Sequence, residues 1–211
     1  MAVAGCATTP EAPTPSLVEK RALAMYGPLP NEQFPIPAVN LNKIEPQFYR
    51  QQVPYSSPEV VGTIIVDTDA RYLYLTQENG MAMRYGVGIG RAGFDWSGRA
   101  VIPWKRPWPT WTPPAEMIER EPELEKYRDG QEPGLENPLG ARALYLFENG
   151  VDTLYRLHGT AEDWSIGRAV SSGCVRLLNH DIIDLYERTP VGTKVVVIPA
   201  GQSSPSQPAA S

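Results

Sequence analysis

Cysteine, histidine and long apolar runs are scarce in this sequence. Among 211 residues there are 2 Cys and 2 His. None of the paired short spacings of zinc ligands is present around Cys174, His158 and His180, so no metal centre is expected. Cys6 lies in a tail and Cys174 in the body, which is a poor basis for a structural disulfide. Positive charge is also in deficit, with 19 Lys+Arg against 24 Asp+Glu and a formal net charge of -5, so the electrostatic footprint of a nucleic-acid binder is missing. The longest apolar stretches fall far short of the roughly 20 residues that span a bilayer. Proline and glycine, by contrast, are plentiful, at 22 and 18 residues. That composition suits a loop-rich, strand-rich chain whose length favours one domain with a full core.

Texture divides the chain into four parts. Residues 1–15, MAVAGCATTPEAPTP, are small and polar, bury too little apolar surface to order themselves, and read as a disordered tether. Residues 16–59 hold a short helix over Leu17 to Met25 and then a proline-punctuated arm packed on the domain. Residues 60–199 form the body. Residues 200–211 are again small and polar and read as a disordered tail.

Within the body, alternating β-branched and aromatic residues predict strands over Thr63–Val66, Arg71–Thr76 and Met81–Gly88, joined by turns at Asp67-Thr68-Asp69 and Glu78-Asn79-Gly80. Further strands fit Ala100–Ile102, Ala143–Phe147, Thr153–Leu157 and Lys194–Ile198. Helices are predicted from Pro114 to Glu121 and from Asn179 to Arg188, the second carrying an apolar stripe of Leu178, Ile182 and Leu185. A mostly β fold with a few short helices follows. Between Pro103 and Pro138 lies a long insertion rich in Trp, Pro and Glu. It holds Trp104, Trp108 and Trp111 and then eight of the chain's 24 acids. A segment of this kind either covers a substrate or caps the core with its tryptophans while its acids face solvent.

The chemistry concentrates in Leu157-His158-Gly159-Thr160 and, eleven residues on, Ser172-Gly173-Cys174-Val175-Arg176-Leu177. A thiol with an ordinary pKa near 8.5 is mostly protonated at neutral pH and needs a base to become a nucleophile. His158 ends a predicted strand, and a loop can return the chain to set Cys174 beside it, so that imidazole takes the thiol proton and later gives one to the leaving amine. Gly173, without a Cβ, would leave its own N–H and that of Cys174 open to an oxyanion. Arg176 is placed to hold a substrate carboxylate through paired hydrogen bonds. His180, in Asn179-His180-Asp181, reads as part of a helix cap.

The stretch HGTAEDWSIGRAVSSGCVRLLNHDIIDLYERTPVGTKVVV closely resembles the catalytic half of the L,D-transpeptidase family, whose YkuD-type domain is marked by HGT followed by S-x-G-C-[IV]-R and a short helix. Tyr85-Gly86-Val87-Gly88 and Asn137-Pro138-Leu139-Gly140 are similar to that family as well, so the resemblance covers roughly residues 60 to 199. It implies a β-sandwich-like catalytic domain in which Cys174 attacks a peptidoglycan stem peptide, His158 moves the proton, and the Gly159 carbonyl orients the imidazole. It also implies Ser172 at the substrate, where some members carry histidine. Trp111, in the Trp-Thr-Pro-Pro segment, is the candidate from the insertion for bordering the donor pocket. No metal or organic cofactor is implied.

The same resemblance implies a donor tetrapeptide cut between its third residue and a terminal D-alanine, leaving an acyl thioester on Cys174. The acceptor is left open: a second stem gives a 3-3 cross-link, an outer-membrane protein is tethered to the wall, and water makes an L,D-carboxypeptidase. Carbapenem β-lactams are expected to acylate the thiol. A cysteine amidase and a non-catalytic wall-binding lipoprotein are the competing readings. Val3-Ala4-Gly5-Cys6 resembles the lipobox of bacterial lipoproteins, with only Met1 and Ala2 ahead of it. That resemblance implies a lipid anchor at Cys6 and a place in the periplasm or cell envelope.

Overall fold

A computed structural model describes residues 16–90, 96–171, 174–198 and 201–202. It opens with helix α1 (Leu17–Met25), whose start is fixed by a reciprocal cap: the Glu19 amide donates to Ser16 Oγ while the Ser16 amide donates to the Glu19 carboxylate. A short strand, β1 (Gln51–Pro54), ends the arm. The meander follows as β2 (Ile64–Asp67), β3 (Tyr72–Gln77) and β4 (Met81–Gly86), then β5 (Ile89–Gly90), β6 (Gly98–Val101) and β7 (Lys105–Pro107). Helix α2 (Ala115–Arg120) lies in the insertion. The second half comprises β8 (Arg142–Glu148), β9 (Val151–Thr160), β10 (Ala169–Ser171), β11 (Val175–Leu178), helix α3 (Asn179–Arg188) and β12 (Lys194–Ile198).

Among the described residues, ten strands make one sheet in the order β1-β4-β3-β2-β12-β6-β8-β9-β11, with β7 also paired to β8, while β5 and β10 form a separate parallel pair. The two halves of the large sheet share one core. Ile64, Val66, Leu73 and Leu75 from the meander pack with Leu144, Leu146 and Leu157 from β8 and β9. Helix α3 closes that core by burying Ile182 and Leu185 on the same side as Val175 and Leu177. Alternation along β8, β9 and β11 therefore turns the residues between these positions, Ala143, Tyr145, Arg156, His158 and Arg176, to the face opposite α3.

The arm is fastened to this body at three places. β1 adds an antiparallel edge to β4. Tyr26, Ile44 and Phe48 pack with Ile166 and Leu178, while Phe34 and Ile36 pack with Trp108 and Ile183. Glu32 ties the two ends together, accepting from Trp108 Nε1 at 2.9 Å and from Arg142 at 2.7 and 3.0 Å.

The expected elements are present with shifted limits. The strand expected over Thr153–Leu157 runs on through His158 to Thr160, and the one expected over Met81–Gly88 ends at Gly86. The insertion holds a strand, β7, because Lys105, Arg106 and Pro107 pair with Leu144, Ala143 and Arg142. Its tryptophans diverge: Trp108 is buried against Phe34, while Trp104 is exposed. All eight of its acids face solvent.

Candidate active site

Register across the face opposite α3 sets the candidate site. His158 on β9 is opposite Arg176 on β11 and opposite Ala143 on β8, and Ala143 is opposite Arg106 on β7. One row therefore reads Arg106, Ala143, His158, Arg176. Two residues along each strand, and so on the same face, Tyr145 lies opposite Arg156, with Trp104 just before β7 and Cys174 just before β11. A hydrogen bond between the Arg156 backbone and the Cys174 thiol holds the cysteine at the end of this second row. Cys174 and His158 thus belong to adjacent chains, one pair apart, on a shared face.

His158 is buried, and its Nδ1 lies 2.8 Å from the Gly159 carbonyl. A carbonyl only accepts, so Nδ1 carries the proton and Nε2 presents its lone pair. Burial pushes the imidazole pKa down to about 4, against the raising effect of the Gly159 carbonyl, and the charges of Arg176 and Arg156 add to the depression. The ring is neutral at pH 7. Burial also pushes the Cys174 thiol up from its ordinary value, opposed by the hydrogen bond with Arg156 and the charges of Arg156 and Arg176. The same two guanidiniums therefore act on both side chains.

Two asparagines support the histidine from behind. Asn179, the first residue of α3, accepts from the Ala141 amide at 2.9 Å. A Cβ on Gly159 would strike that side-chain oxygen and Ile182 Cγ2, and Gly140, at φ 61, is pressed against the Gly159 backbone. These contacts give a glycine after His158 a steric reason. Asn137 closes the insertion by donating to the carbonyls of Pro109, Gln131 and Glu132, each at 3.1 Å, while its own oxygen accepts from the Leu139 amide. Leu139 in turn accepts from the Gly159 amide at 3.0 Å.

The other expected site residues are distributed unevenly. Arg176 lies on the site face, but its Nη1 is 2.6 Å from the Glu162 carboxylate, so a residue of the intervening loop occupies it. Its buried Nε has no hydrogen-bond partner among the described residues. Trp111 instead pairs its backbone with Gln131 and packs edge-on to Tyr127, within the insertion. Ser172, Gly173 and Cys6 lie outside the described residues. His180 is not a cap: α3 begins after Leu178 with no side-chain cap, and His180 Nε2 instead lies 2.6 Å from the Gly27 carbonyl, because the arm is packed over that helix end. No cluster of His, Cys, Asp or Glu suited to a metal occurs among the described residues. Trp104, Arg106, Tyr145, Arg156 and Glu162 were not anticipated as site residues. Period-two alternation in Trp104-Lys105-Arg106, Ala143-Leu144-Tyr145 and Arg156-Leu157-His158 was the available signal, and the prolines around β7 hid it.

A strand-rich domain that brings a thiol and a neutral imidazole to adjacent strands on one face has the groups that acyl transfer through sulfur requires. The family comparison narrows this: residues 62–197 match the L,D-transpeptidase catalytic domain, and the chain belongs to that family. Among curated relatives, a probable L,D-transpeptidase of Escherichia coli (strain K12), YbiS, is 35% identical over 158 residues, covering 70% of this chain and 47% of the relative. A second from the same strain, YcfS, is 36% identical over 141 residues, covering 65% and 43%. The chain thus spans about half the length of these relatives. A Brucella melitensis crystal structure, described as a probable carnitine operon oxidoreductase, is 44% identical with a TM-score of 0.52, covering 75% of this chain and 99% of that one. The redox description belongs to that protein; the match over residues 62–197 is what assigns this chain.

Proposed function

We propose that this protein is a cysteine-dependent L,D-transpeptidase that acts on peptidoglycan stem peptides at the cell envelope. The observation that carries this reading is the shared face of Cys174 and His158, with Nδ1 of the imidazole engaged by the Gly159 carbonyl. His158 Nε2 takes the thiol proton as Cys174 Sγ bonds to the carbonyl carbon of the third stem residue. The bond to the terminal D-alanine nitrogen then breaks, and the imidazolium returns the proton to that nitrogen. D-Alanine leaves and an acyl thioester remains. An amine attacks it, yields a proton to His158, and expels the thiolate, which recovers that proton. The amide N–H groups of Gly173 and Cys174 serve the oxyanion in both halves. The acceptor is a second stem, giving a 3-3 cross-link, or a protein amine, giving a tether to the wall; water in its place gives the carboxypeptidase outcome.

Intact-mass analysis after exposure to meropenem tests this reading. Wild type is expected to gain one drug mass at Cys174, and Cys174→Ala none. The same pair incubated with a diaminopimelate-containing tetrapeptide should show D-alanine release at background for the variant. Unmodified wild type with no D-alanine release would overturn the assignment. Release of D-alanine with only hydrolysed product, in excess acceptor amine, would support the hydrolytic alternative.

A further inference from the structure

The second row across the site face continues beyond the cysteine. Trp104 stacks on Tyr145 with ring centroids 3.5 Å apart and planes 15° from parallel. The Arg156 guanidinium lies over the same tyrosine ring at 4.5 Å, and the Arg106 guanidinium lies 5.7 Å from the Trp104 ring. The order across the sheet is therefore indole, phenol, cation and thiol, and Arg106 stands two residues along the chain from the indole, in the neighbouring row on the same face. Buried Tyr145 is accounted for by the groups on either side of it, whereas Trp104 keeps 38% of its surface open.

The three guanidiniums on this face are not equivalent. Arg156 is met by Asp152 through two hydrogen bonds of 2.7 and 2.8 Å. Arg176 is met by Glu162. Among the described residues, Arg106 has no carboxylate partner and is exposed, although the chain carries an excess of acids. An uncompensated cation beside a half-open indole is an attractive surface for a carboxylate attached to an apolar or peptide backbone.

Length fits as well. From Cys174 the row crosses to β9, β8 and β7, three steps of about 4.8 Å, or roughly 14 Å. An extended peptide covers about 10 Å of that span in three residues, the number up to the reacting carbonyl of a tetrapeptide stem, and the long Arg106 side chain reaches across the remainder. We infer that the Trp104–Arg106 end of this row is a binding subsite for the far end of an extended, carboxylate-bearing peptide whose reacting carbonyl sits at Cys174. The inference rests on the acyl-transfer reading above and adds where the substrate lies. Trp104 covers the peptide backbone, Arg106 pairs with its carboxylate, and Arg156 serves to brace the tyrosine between them.

The test uses Cys174→Ala as the background, so that bound peptide is not consumed. The probes are a diaminopimelate-containing tetrapeptide ending in D-alanine and the same peptide with its carboxylates amidated, each titrated by NMR. Adding Arg106→Gln should weaken binding of the acid form about tenfold and that of the amidated form less than twofold. Adding Trp104→Ala should weaken both. Equal loss of both forms in Arg106→Gln, no change in either variant, or no binding by the parent at millimolar peptide would overturn the subsite. A meropenem adduct on wild-type Cys174 together with unchanged binding in Arg106→Gln removes the subsite and leaves the catalytic reading intact. Arg106-dependent binding with no adduct and no D-alanine release does the reverse.

Discussion

Burial moves the two side chains of the proposed catalytic pair in the same direction, away from charge. The Cys174 thiol is raised above its ordinary value, and the His158 imidazole is pushed down to about 4. At neutral pH the resting pair is a thiol beside a neutral ring, not a thiolate beside an imidazolium. In the proposed reaction, sulfur therefore becomes nucleophilic as its proton moves, with substrate already in place. Alkylation by iodoacetamide has no substrate to organise that transfer and needs the thiolate itself. Peptide mapping of Cys174 alkylation against pH should give a rate that climbs with a midpoint above that of an unperturbed thiol. A plateau already reached by pH 7 would show a preformed ion pair instead. Backbone carbonyls, that of Gly159 at Nδ1 and that of Pro138, supply orientation without supplying charge, which distinguishes this arrangement from one in which a carboxylate would raise the imidazole pKa.

At the scale of elements, the arm and helix α3 meet through a buried ionic group. Arg50 lies 3.1 Å from the Asp184 carboxylate and 3.8 Å from Asp181, which is fully buried. Tyr26 OH donates to Asp181 at 3.2 Å and accepts from the Arg50 amide at 2.7 Å. Tyr85 OH, from the meander, donates to Asp184 at 2.7 Å. Removing one partner of such a group leaves a buried charge without compensation. Above the pH near 7 at which Asp181 gives up its proton, Arg50→Met should therefore lower stability by about 3 kcal/mol in urea denaturation. Asp181→Asn on top of Arg50→Met should restore part of that loss; a double variant as weak as the single would place the cost in packing of the Arg50 stem. Little of this joint was legible in the sequence. Val-, Ile- and Tyr-rich alternation made the meander readable, and Ile182 and Leu185 made α3 readable, because burial on one face imposes a period. Arg50, Tyr26 and Asp181 are far apart in the chain and carry no period, so only tertiary structure brings them together. The Cys174 and His158 segments were readable because their residue types are rare here and each stands next to glycine, whereas the Trp104 row depends on β7, a strand of three residues enclosed by prolines.

For the molecule as a whole, two buried groups act on stability with opposite signs. His158 has a folded pKa of about 4 against an ordinary 6.5, so between those values the unfolded chain binds more protons and acid destabilises the fold. That contribution is present above pH 6.5 and lost as pH falls towards 4. Asp181 is raised by burial from 3.8 to about 7, with the Arg50 charge opposing, so between those values the folded chain holds the extra proton. Its contribution is present at low pH and lost as pH rises through 7. Over pH 4 to 6.5 the two slopes oppose each other, each up to roughly 1.4 kcal/mol per pH unit. His180, also lowered by burial, adds to the histidine side. Replacing one group should therefore unmask the other. Asp181→Asn is expected to lose stability more steeply than wild type as pH falls from 6.5 to 4. His158→Gln, whose amide can still donate to the Gly159 carbonyl, should lose less over that range and show the decline between pH 4 and 7 that Asp181 imposes. Urea midpoints at pH 4.5, 5.5, 6.5 and 7.5 for the three proteins check both signs at once. Parallel curves for wild type and both variants would mean that neither group stays buried in the folded state.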